Sequence, residues 1–186
     1  MVPKTESRLF SWLNTWRDDE LRGTLTDIFV TSAAGQRMQR QTEARCLPGL
    51  GLEGDRYATG LGHWIKTDGC EVTLVSAEDL AKATQRGPVS FADGEHRRNL
   101  VIEGIPLQAL RRRHLRIGTV EFAFHRLRPP CGYLDRLLQP GAGKALGSAA
   151  GIGLRVITAG SIRVGDPVEA FEAPIPNTEQ PTRRHP

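Results

Sequence analysis

"HLRIGTVEFAFHRL", His114–Leu127, is the stretch on which the reading of the fold turns. Leu115 and Ile117 alternate with polar residues before Gly118-Thr119, and Val120, Phe122 and Phe124 alternate after it. Period two puts successive side chains on opposite faces of a strand, and a glycine in the middle lets the chain reverse or bend. A hairpin and a single bent strand both fit. A helix does not.

The same texture continues on both sides. Downstream, "LRVITAGSIRVGDPVEAF" (154–171) reads as two or three short strands between glycine turns. Upstream, "RRNLVIEG" (97–104), "CEVTLVS" (70–76) and "TLTDIFVTSAA" (24–34) read as strands, with "RMQRQTEARC" (37–46) expected to pair with the last. One helix is well marked between strands. Ser76 with Asp79 three residues on is a capping-box pattern, the helix runs to about Gln85, and Pro88 lies just past its end. With so few helices to serve as parallel crossovers, the expected fold is mainly β: a strand-rich, mostly antiparallel barrel with a few short helices.

At 186 residues the chain fits one domain with modest extensions. Residues 23–172 are expected to form that domain. Residues 1–22 are expected to be an amphipathic helical extension, since Leu9, Phe10, Trp12, Leu13 and Trp16 recur at helical spacing. Residues 173–186 are polar and Pro-rich and are expected to be a disordered tail.

The three cysteines, Cys46, Cys70 and Cys131, are odd in number and widely spaced, which argues against a disulfide framework. The N-terminus carries Glu6, Asp18, Asp19 and Glu20 and lacks a basic start followed by an apolar run, unlike a signal peptide. No stretch is apolar enough to span a membrane. The expectation is a cytoplasmic protein that engages no membrane. A net charge of +4 is too mild to demand nucleic acid. The basic run "RRRHLR" (111–116) has no interleaved aromatics to stack bases and reads as solvated surface.

Chemistry concentrates around "HRLRPPCGYLDRL" (125–137). Pro129 and Pro130 make an extended entry, and Leu134, Leu137 and Leu138 follow at helical spacing. Cys131 therefore falls at a helix start, where unpaired N–H groups and nearby Arg126, Arg128 and Arg136 favour a thiolate. A buried, inert cysteine fits the spacing equally well. In "GLEGDRY" (51–57), Gly51 and Gly54 permit a sharp turn or a close approach to a ligand, and Asp55 orients Arg56 or merely pairs with it. Arg98 and Asn99 in "RRNL" are candidate contacts to an anion or heterocycle. His63 and His125 are candidate bases or ligands, with satisfied structural histidines as the alternative.

Taken in order, "GLEGDRY", "EVTLVSAEDL", "RRNLVIEG", "RPPCGYLD" and "GLRVITAGSIRVGDPV" resemble the MOSC domain, the module at the C-terminus of molybdenum cofactor sulfurase, over roughly residues 23–171. The resemblance implies a barrel similar to the small barrel domain of pyruvate kinase. It also implies molybdenum cofactor, a pterin dithiolene carrying Mo and a phosphate, with Cys131 as catalytic residue and Mo ligand. Gly54, Asp55, Arg56, Tyr57, Arg98, Asn99 and Arg128 would bind the cofactor. Two roles follow. In one the protein reduces N-hydroxylated small molecules with an external electron donor. In the other Cys131 carries a persulfide, or the domain passes sulfur or cofactor to another protein. No aminotransferase-like desulfurase domain is present, so this chain is not expected to generate persulfide by pyridoxal phosphate chemistry. The second barrel domain of the amidoxime-reducing relatives is also missing, and a homodimer would be one way to complete the pocket.

Overall fold

The structure, a computed structural model, describes residues 21–63 and 70–172. The expected N-terminal helix and the C-terminal tail lie outside the described residues.

Seven strands close into a barrel. β1 (Leu21–Val30) pairs on one side with β11 (Pro167–Glu172). The ring continues through β7 (Arg113–Ile117), β8 (Val120–Leu127), β9 (Ile152–Val156), β5 (Val72–Ser76) and β6 (Leu100–Glu103), which pairs with the other side of β1. Every pairing in the ring is antiparallel except β5 with β6. A parallel pair needs a crossover, and α1 (Ala77–Arg86) lies in it. Ser76 caps α1 by accepting the Asp79 N–H at 3.2 Å, as the sequence pattern predicts. The mostly antiparallel barrel read from the sequence is the observed fold.

The opening stretch is a hairpin, not a single bent strand. β7 and β8 form a hairpin with Ile117 opposite Val120 across Gly118-Thr119. β8 is also bent, because its register against β9 slips between Phe124 and Arg126. Such a bulge turns the strand and re-aims the side chains beyond it. Here it carries the chain toward Arg128 and Cys131. β5 is buried along its whole length, with one face to the barrel interior and the other under α1, where Leu80 and Ala83 are buried.

One pairing needs correction. The segment 37–46 does not pair whole with the first strand. Only β2 (Gln39–Gln41) continues along the end of β1. β3 (Glu43–Leu47) leaves the barrel to form a three-stranded sheet with β4 (Gly51–Leu52) and β10 (Gly160–Arg163). Burial decides the split. Ala44 and Cys46 of β3 turn inward onto the core, whereas none of the β2 residues is buried.

Candidate cofactor site around Cys131

The loops after β1, after β4, before β6 and after β8 meet at one end of the barrel. Cys131 stands where the last of these enters α2 (Gly132–Leu137). The two prolines hold the entry extended, and Cys131 itself is extended (φ −133, ψ 159), with its carbonyl accepting the Leu134 N–H at 3.0 Å. The Arg128 N–H donates to the Gly151 carbonyl at 2.9 Å, which ties the segment to the start of β9. Gly151 has φ +120, and a Cβ there would sit 2.6 Å from the Leu74 carbonyl and 2.9 Å from Arg98 Nε. Only glycine lets this backbone and the Arg98 side chain share the space.

Cys131 is half-buried and lines two adjoining hollows. The inner one, about 50 Å³, reaches Arg56, His96, Arg97 and Tyr133. The outer one, about 360 Å³, opens past Arg126, Arg128 and Pro129. Tyr57, Arg98, Pro130 and Cys131 belong to both. Among the described residues no carboxylate lines either hollow.

The arginines are held by neutral groups. Arg98 donates from Nε to the Ala150 carbonyl at 2.6 Å and from a terminal nitrogen to the Arg128 carbonyl at 3.3 Å. Arg128 reaches the Tyr57 hydroxyl at 3.3 Å. Arg97 donates to the Gln36 carbonyl. Arg56 meets a carboxylate, Asp55 at 3.2 Å; it also bonds the Arg97 carbonyl at 3.1 Å and lies 4.6 Å over the Tyr57 ring. Desolvation, opposed by Tyr57 and reinforced by the Arg128 charge, pushes Arg98 down to about 10. It remains a cation at neutral pH.

Asp55 and Asn99 lie behind this wall. Both are completely buried, and neither lines the hollows. Asp55 accepts from the Thr31 and Tyr57 backbone N–H groups, from Arg56, and from Asn99 Nδ2 at 3.0 Å. Asn99 also donates to the Phe29 carbonyl, and its Oδ1 accepts from the Thr73 hydroxyl at 2.7 Å and from the Thr73 N–H. Every side-chain polar atom of the pair has a partner. The network joins β1, β5 and β6 to the 54–57 loop and fixes Arg56. Gly54 (φ +76) has no described atom within 4 Å of a would-be Cβ, and its left-handed backbone makes the turn.

The remaining residues divide clearly. Cys46 and Cys70 are buried, and burial pushes the Cys46 thiol up to about 12 and raises Cys70 as well. His63 reaches the inner hollow, stacked on Tyr133 with ring centroids 3.8 Å apart. His125 lines neither hollow. Two lining residues carry no sequence signal. Tyr133 looks like an ordinary helix residue, and His96 in "GEHRRN" looks like an isolated histidine in a loop. Among the described residues no three His, Cys, Asp or Glu side chains converge as a metal site. A metal here would have to bring most of its own ligands, and a single thiolate in a cationic cleft suits a soft metal already chelated by an anionic ligand.

The model of the MOSC domain family matches residues 64–169. The match covers more than half of the chain, and the chain belongs to the MOSC domain family. Solved structures agree on the fold. The YuaD protein of Bacillus subtilis superposes with a TM-score of 0.69 at 15% identity, covering 83% of this chain and 98% of its own. YiiM of Escherichia coli gives 0.57 at 18% identity over 82% and 70%, and YiiM of Geobacillus stearothermophilus gives 0.57 at 16% over 82% and 75%. None of the curated proteins matches this chain.

Proposed function

We propose that this chain binds molybdenum cofactor in the Cys131 cleft, with the Cys131 sulfur as the protein's ligand to Mo, and that it reduces N-hydroxylated small molecules. The observation that carries the reading is the pairing of one reachable cysteine with arginines whose partners are mostly carbonyls. Cys131 is the accessible one of the three cysteines; Cys46 and Cys70 are 0% and 2% exposed. Arg56, Arg97, Arg98 and Arg128 ring it. Membership of a family associated with this cofactor supports the same reading.

The residues fit the group. A thiolate donor suits Mo, and guanidinium forks suit a phosphate and an anionic dithiolene. Arg98, shared by both hollows, would hold negative charge next to the sulfur, while Tyr57 and Pro130 wall the two hollows. When bound, the cofactor supplies the two-electron step that turns an N–OH group, with two protons, into N–H and water. The electrons come from a separate donor protein.

The test is metal and pterin content. The full chain is purified from a host that makes the cofactor, and Mo is quantified beside the oxidised pterin, with Cys131→Ser in parallel. Near-stoichiometric Mo in the parent and its loss from a folded Cys131→Ser protein is the expected result. Wild-type Mo in that variant rules out Cys131 as the essential ligand. The same accessible sulfur also supports a second reading, a persulfide carrier. A +32 Da species on the Cys131 peptide under non-reducing conditions, without Mo or pterin, would favour it.

A further inference from the structure

His96 has a bonding group that no other described residue uses. Its ring is 1% exposed and lines the inner hollow beside Arg56, Arg97 and Arg98. The Arg98 backbone N–H donates to Nδ1 at 3.0 Å. That bond assigns the proton of the neutral ring to Nε2. The Nε2–H is buried and has no hydrogen-bond partner among the described residues. Buried donors are nearly always paired, and an orphan is destabilising, so one in a ring that lines a cleft points to a partner beyond the described residues.

The surroundings define that partner. Desolvation, with Arg98, Arg40, Arg97 and Arg56 adding to it, pushes His96 down to about 3, so the ring stays a neutral donor at physiological pH. The ring also backs an apolar groove under α1, where it meets Phe29 edge-on with centroids 5.2 Å apart. That groove is lined by Phe29, Leu80, Phe91 and Val101 and also by Asp27, Thr84 and Ser90, whereas Arg56, Arg97 and Arg98 line only the inner hollow. A positive field selects an anion, and a fixed N–H selects an oxygen lone pair on it.

We propose that the His96 Nε2–H is a binding donor of the Cys131 cleft, satisfied by an anionic oxygen of the bound ligand, a phosphate or carboxylate oxygen. The inference rests on the reading of the cleft as an anionic-ligand site. Guanidinium groups attract any anion, chloride included. A single fixed N–H adds direction and favours an oxyanion whose acceptor falls on its line.

The experiment uses the full chain, made in cells that lack molybdenum cofactor and labelled with ¹⁵N-histidine. The five histidines give few ring N–H signals, and the His96 signal is assigned by its loss in His96→Phe. Should that variant fail to fold, magnetisation transfer to the Phe29 ring assigns it instead. Inorganic phosphate is titrated at constant ionic strength against chloride. The expected result is a saturable downfield shift and slower exchange of this one N–H with phosphate but not chloride, with about tenfold weaker phosphate binding in a folded His96→Phe protein. An unmoved His96 signal at high phosphate, or equal phosphate affinity in both proteins, overturns the inference. The cofactor reading is judged separately, by the Mo and pterin content of Cys131→Ser.

Discussion

The arginines on the barrel's outer face and those at the Cys131 end live in different worlds. On the outside, Arg116 on β7 sits between Glu121 at 3.1 Å and Glu169 at 3.3 Å, on the two strands that flank it. Arg163 bonds Glu43 at 2.8 Å, and Arg40 pairs with Asp27. Around Cys131, Arg97, Arg98 and Arg128 face carbonyls and a tyrosine, and among the described residues Asp55 is the carboxylate paired with Arg56. Matched charge serves assembly of the sheet. Unmatched charge, held by neutral groups, is what the proposed anionic ligand would meet.

The largest expected effect lies where the two worlds touch. Asp55→Ala removes the buried partner of Arg56 and orphans the N–H groups of Thr31 and Tyr57 together with one N–H of Asn99. Breaking a buried, hydrogen-bonded pair by deleting one member costs about 3–5 kcal/mol. Urea unfolding should show a loss of that size. A loss under about 1 kcal/mol would mean that the hub does not hold the 54–57 loop.

Arg98→Met tests the unmatched side. It relieves a desolvated, repelled cation and gives up two bonds to carbonyls, so stability should stay within about 1 kcal/mol of the parent. Phosphate affinity should fall at least about tenfold, roughly 1.4 kcal/mol. A large stability loss with unchanged phosphate binding would make Arg98 structural.

His96 gives the comparison a pH axis. Its folded-state pKa of about 3 lies below the ordinary value of 6.5. Between these values the unfolded chain takes up a proton that the folded chain refuses. Stability therefore falls as pH drops from about 6.5 toward 3, by up to about 1.4 kcal/mol per unit from this group. Urea midpoints measured across that window should flatten in His96→Phe relative to the parent; parallel curves would assign the acid sensitivity elsewhere.

Much of the barrel is legible because period-two alternation is local. Leu115, Ile117, Val120 and Phe122 announce β7 and β8 without reference to the rest of the chain. The exit of β3 from the barrel is not legible, because it depends on β10, more than a hundred residues away, offering Ile162 opposite Ala44. The bulge after Phe124 is invisible for the same reason. At the site, Cys131 and the arginines can be picked out by residue type and order. The depth of Asp55 and Asn99 cannot, since a carboxylate and an amide look like surface until Thr31, Thr73 and Arg56 are brought around them. His96 is silent in sequence because its meaning is a missing bond, and absences appear only once every neighbour is in place.

The smallest effect closes the contrast from its matched side. Arg116→Met removes a cation that is 44% exposed from carboxylates that are 32% and 36% exposed, in Glu121 and Glu169. Exposed pairs contribute about 0–1 kcal/mol, and the two glutamates left behind can still be hydrated. The methionine keeps part of the stem's packing against Phe171, over whose ring the guanidinium now lies at 5.3 Å. The expected loss is therefore below about 1 kcal/mol at low salt and shrinks further at 1 M salt, where charges are screened within about 3 Å. Phosphate binding and Mo content should not change. A fall in either would mean that the field at the Cys131 end depends on distant surface charge as well as on the arginines that line it, and the division between the two sets would fail.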